Sequence, residues 1–124
     1  MRVLAIVIVS MGLFAGGVHA QAETADGRSY GEVIAVEMTG DPSPDPGLVA
    51  RFNRLLSSIA GSCSQGREWV SDRILHGHQM LVERGGDATL LDVAVGWDRA
   101  VANQARPDCP GILAAVLVLL ESGV

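Results

Sequence analysis

The side chains best suited to chemistry cluster in one stretch, RILHGHQMLVERGG, Arg73 to Gly86, where His76 and His78 stand one residue apart. Two imidazoles so close could hold a metal ion or relay a proton. The apolar spacing around them predicts a helix, however, and on a helix residues two apart point about 160° away from each other. They therefore cannot grip one ion together. Helices that bind zinc place their histidines four apart, a spacing absent here.

Asp72 and His76 do have a spacing of four, and Glu83 falls on the same polar face, so these three are the metal-ligand candidates. A solvated helix face has the same composition, and the reading adopted is a weak exposed Asp72–His76 contact with no metal and no cofactor. His78 falls in the core sector with Val70, Ile74, Gly77, Leu81 and Val82. Asp98, at a core margin on the next expected helix, needs a partner, and His78 or Arg67 could supply it. With Ser71 nearby, His78 and Asp98 would make a serine-type relay. The chain carries neither a nucleophile elbow nor a glycine-rich oxyanion loop, so a register-fixing ion pair is expected instead, and no enzyme.

Trp69, Arg73, His76, Met80 and Arg84 form a second stripe on that helix. If the linker or Tyr30 covers it, the stripe is structural. If it is open, its residue types are those favoured at binding surfaces, and a protein partner is the expectation.

These residues must be positioned by a small exported domain. The chain opens with Arg2, an apolar run from Val3 to Phe14, and Val18-His19-Ala20, the plan of a secretory signal peptide cut after Ala20. Removing residues 1–20 takes away Arg2 alone, so the net charge of −5 becomes −6. There is no lysine, and the arginines are scattered, which excludes the clustered positive charge that nucleic acid requires. Cys63 and Cys109 are the only cysteines and have one possible pairing. In an oxidising compartment a structural disulfide is expected.

Residues 21–44 read as an extended, proline-rich N-terminal segment. Its first residues, 21–29, should be loose, Tyr30 to Met38 is read as extended or irregular, and the prolines of TGDPSPDPG form a stiff linker. Residues 45–124 read as a small antiparallel four-helix bundle. The first helix begins at Asp45-Pro46, a cap followed by a first-turn proline, and should end at Gly61. A capping-box pattern over Ser62–Gln65 precedes the second, which runs to about Arg84 before Gly85-Gly86. The third starts near Asp87 or Thr89, the latter with Asp92 three residues on, and ends before Pro107. Asp108-Cys109-Pro110 starts the fourth, apolar all round from Ile112 to Leu120. It is too short to cross a membrane and is therefore expected to be the buried central helix, with an exposed docking helix as the alternative.

Three function classes follow. The first is an exported, periplasmic or extracellular interaction module such as an inhibitor, immunity-type factor or envelope adaptor. The second is an acid-stress chaperone: in size, helical content, acidity and a single long-range disulfide the chain is similar to the periplasmic acid-stress chaperones of enteric bacteria, an architectural likeness. The third is a histidine-based metal carrier or enzyme. The first is the expectation.

Overall fold

The computed structural model describes residues 22–123, and every described element is an α-helix. The expected leader, residues 1–20, lies outside them. The helices are α1 Tyr30–Thr39, α2 Pro46–Cys63, α3 Arg67–Glu83, α4 Leu90–Val101 and α5 Cys109–Glu121. Together they form an all-α bundle with a disulfide between Cys63 and Cys109, as the sequence implies.

The expected helix starts are present where a cap was legible. Asp45 accepts from Leu48 N–H at 3.1 Å with Pro46 in the first turn of α2. Thr89 and Asp92 exchange side-chain and backbone hydrogen bonds, a complete capping box for α4. Asp108 caps α5 ahead of Pro110.

Four expectations need correction. Tyr30 to Met38 is helical rather than extended: Ser29 caps α1 by accepting from Glu32 N–H at 3.1 Å, and Gly40, at φ 74°, ends it. Ile34 and Ala35 of α1 are fully buried in the common core, so the bundle has a fifth helix and its core does not begin at residue 45. Helix α2 continues through Gly61 to Cys63, with Ser64 in the left-handed region as its C-cap, so the Ser62–Gln65 capping box does not form and α3 starts from Gly66 without a side-chain cap. Residues 23–29 are tied down by backbone bonds from Glu23 and Thr24 N–H to the Arg28 carbonyl.

The fourth correction concerns α5, which is not central. Its inner side, Leu113 and Val116, is buried and Leu117 is partly buried; Ala114, Ala115, Val118 and Leu119 face outward. Val118 and Leu119 remain 56% and 53% exposed. The inner side sits close because two glycines receive it. A Cβ on Gly77 of α3 would meet Leu117 at 3.1 Å, and one on Gly96 of α4 would meet Val116 at 3.0 Å. Gly96 is therefore half of that seat. Trp97, fully buried, locks the start of α5 by donating from Nε1 to the Cys109 carbonyl at 3.1 Å. The centre of the bundle is instead filled by Phe52, Leu56 and Ile59 of α2, Val70 and Ile74 of α3, and Val93, Trp97 and Val101 of α4.

Candidate functional site

Helix α3 carries most of the candidate side chains, and its placement decides among them. His76 is exposed, whereas His78 is half-buried, with Nε2 3.0 Å from the Ala88 carbonyl. The opposed directions expected for the two imidazoles are thus realised, but Val82, expected in the core sector with His78, is 52% exposed, because the buried side of α3 ends at Leu81. Asp72, His76 and Glu83 are all exposed, and no ion pair joins Asp72 to His76 among the described residues. Nor does any group of three His, Cys, Asp or Glu converge there for a metal ion.

The ion pair expected between Asp98 and His78 or Arg67 is not formed, and Ser71, His78 and Asp98 do not converge as a relay. Asp98 Oδ1 accepts from Ser58 Oγ of α2 at 2.6 Å, while His78 is engaged by Ala88 and Ser71 is buried at 2% exposure. Helices α2 and α4 lie side by side, so a hydroxyl on α2 reaches Asp98 before any group on α3 can.

Arg67, the other expected partner of Asp98, turns to the N-terminal segment. It forms a two-pronged pair with Glu23, Nε to Oε2 at 2.7 Å and Nη2 to Oε1 at 2.9 Å, and also donates to Asn53 Oδ1 at 2.7 Å and to the Ser57 hydroxyl. Asn53 in turn accepts from Gly31 N–H at 3.0 Å and donates to Ser29 Oγ at 3.0 Å. One guanidinium therefore fastens residues 23–31 to α2 and α3. Its hydrogen bonds hold the Glu23 carboxyl below the usual carboxylate range, against the opposing effect of burial, with the Tyr30 N–H adding to the lowering. Sequence reading missed this network because its members lie 10 to 44 residues apart. The only local signal was Ser29-x-x-Glu32.

A broad depression lies over the outer side of α3, bordered by Glu37 of α1 and Leu90 of α4. Its lining residues, from His78 through His76 to Arg73, spread over about 220° of the helix circumference at 100° per residue. A wall that wraps more than half of one helix is an outer surface with shallow margins, not an enclosed cleft. No buried side-chain nitrogen or oxygen among the described residues lacks a hydrogen-bond partner, so none is held in reserve for a ligand.

The stripe of Trp69, Arg73, His76, Met80 and Arg84 lies along the same helix. Trp69 is half-buried, with its ring centre 6.0 Å from that of Trp97 and the two planes tilted by 46°. Its ring therefore packs against Trp97. The Arg73 guanidinium stands 5.2 Å above the Trp69 ring, a cation–π contact on the outer side. His76 is open, Met80 is half-buried, and Arg84 reaches Glu121 of α5 at 3.7 Å while staying 60% exposed.

The Gly77–Leu117 contact and the Arg84–Glu121 pair show that α3 and α5 run alongside each other in the same direction. The stripe and the outward side of α5 consequently form neighbouring strips of one face. From Cys109 through Leu120, α5 carries no charged side chain. The face is an uncharged apolar strip bordered by Arg73, His76 and Arg84.

Comparison with other proteins adds no relative: no family model, no curated protein and no solved structure matches the chain. Among the described residues no helix is long and apolar enough to cross a membrane, and the disulfide is the kind of bond that persists in a non-reducing compartment.

Proposed function

We propose that the protein is a small exported interaction module, non-enzymatic, in which the disulfide-tied bundle is a scaffold and the face shared by α3 and α5 meets another protein. The observation that supports this reading most directly is the outward side of α5, where Val118 and Leu119 stay more than half exposed on a helix without charge from Cys109 through Leu120. Burying such side chains against a partner recovers roughly 25 cal/mol per Å² of apolar area. The half-covered Trp69 with Arg73 stacked on it supplies the aromatic and guanidinium groups that anchor protein interfaces. The leader plan and the disulfide support an exported location.

The test is affinity capture from the protein's own cell envelope, using the oxidised protein, Val118→Asp and Trp69→Ala as three matched baits. A specific protein held by the first and lost by both variants, at unchanged far-UV circular dichroism, is the expected result. Equal recovery on all three baits contradicts the assignment of the face.

A second reading, an envelope acid-stress chaperone, draws on the Glu23–Arg67 fastening. Protonating Glu23 releases residues 23–31 and loosens α1, the kind of acid-driven opening that exposes apolar surface. Binding of an apolar dye that rises steeply on acidification, earlier in Glu23→Gln than in the parent, would favour it.

A further inference from the structure

We infer that the outward side of α5 pairs with the same side of a second copy of this chain, antiparallel about a two-fold axis near Ala115. The inference rests on reading this face as an interaction surface and names its occupant. Three observations point to a copy and to that direction.

Between Pro110 and Glu121 the exposed residues of α5 are graded in size along the helix: Gly111, Ala114 and Ala115 in its first half, Val118 and Leu119 in its second. In an antiparallel pair centred on Ala115, Leu119 of each copy falls opposite Gly111 of the other, the largest exposed apolar side chain against a residue without one, while Val118 falls opposite the half-buried Ile112. A parallel pair would set large against large and leave the small halves apart.

The strip carries no charge until Glu121, so self-pairing buries no like charges along its length. At each end one acid stands with one guanidinium, exposed Asp108 with Arg106 at the start of α5 and Glu121 with Arg84 at its end, so neither end opposes a net charge to a second copy.

The size of the strip sets the strength. A 13-residue helix is about 20 Å long, and pairing along it would cover on the order of 900 Å² in total, below the range of stable interfaces and within that of weak, transient ones. The dimer is therefore concentration-dependent, with a Kd on the order of 10–100 µM. Each pair would carry the Trp69–Arg73 stripes on its two flanks, free for a further partner.

Sedimentation of the full chain, expressed with its leader and purified oxidised, tests this between 5 and 500 µM as order-of-magnitude limits around that affinity. The expected result is a monomer–dimer equilibrium that Leu119→Asp weakens at least tenfold, with far-UV circular dichroism unchanged because Leu119 is outside the core. Ala115→Cys, on the axis, should form a covalent dimer on mild oxidation. So should an equal mixture of Gly111→Cys and Leu119→Cys, whereas Leu119→Cys alone should not. A chain that stays monomeric throughout, or a dimer indifferent to Leu119→Asp, overturns the inference. If the chain is monomeric but Leu119→Asp still loses a protein that the parent bait captures, the interaction reading stands without the second copy. If neither oligomeric state nor capture responds, both fall.

Discussion

Replacing glycine by alanine within a helix ordinarily stabilises it, by up to about 1 kcal/mol, yet Gly31→Ala should destabilise this protein. A Cβ at Gly31 would stand 2.5 Å from Asn53 Oδ1 and 2.9 Å from the Asn53 backbone nitrogen. The side chain of Asn53 can rotate away, but the backbone nitrogen of α2 cannot. Rotation alone disrupts the bonds to Gly31 N–H, Arg67 and Ser29 Oγ, three interactions each worth about 0.5–1.5 kcal/mol. Moving α1 outward instead disturbs Ile34 and Ala35, both fully buried. Offsetting about 3 kcal/mol of loss with at most about 1 kcal/mol of helix propensity leaves a net cost of about 2 kcal/mol. For a domain of this size that lowers Tm by roughly 8–16 °C. Urea unfolding of the oxidised protein measures it, with Gly61→Ala as control. Gly61 is exposed, interior to α2 and meets nothing within 4 Å, so the same substitution there should stabilise by about 0.5–1 kcal/mol. Equal signs at the two positions would refute the account of Gly31 as the contact point between α1 and α2.

Two further outcomes follow from the same structure. Reducing the disulfide, or replacing both Cys63 and Cys109 by alanine, frees a loop spanning a sequence separation of 46 residues and should cost about 4 kcal/mol by loop entropy, read as a fall in the urea midpoint; a change below about 1 kcal/mol would exclude that account. Because the Glu23 carboxyl is held below its ordinary value in the fold, the stability it contributes is present above the unfolded-state value and is lost as pH falls through the folded one, so the parent should lose its advantage over Glu23→Gln as solutions are acidified below about pH 4.5. An unchanged difference from neutral pH down to pH 2, about two units below the ordinary carboxylate value, would show that the Arg67 pair is energetically idle.

What the sequence made legible were the features written in neighbouring residues. Asp45-Pro46, Thr89 with Asp92, and Asp108-Pro110 each announced a helix start, and one pair of cysteines allowed one bond. The helical period around His76 and His78 was enough to separate the imidazoles. Helix α1 escaped because its ten residues have no clear amphipathic rhythm, although Ser29, Glu32 and Gly40 mark both of its ends. Helix α5 was misplaced for the converse reason. A helix apolar on every side does not state which side is inward, and that choice was made by Gly77 and Gly96 on two other helices. The Asp98 partner was misassigned because angular position on one helix does not reveal which neighbour lies across from it; Ser58 was closer.

The chain's two tryptophans are themselves an optical gauge of this surface. Trp97 is sealed inside while Trp69 reaches the exterior, and at 6.0 Å their indoles exchange excitation and mix their absorption bands. Anything that settles on the outer edge of Trp69, or lifts Arg73 from it, alters the environment of one chromophore of a coupled pair. Occupancy of the face can therefore be followed by emission in the native, unlabelled chain.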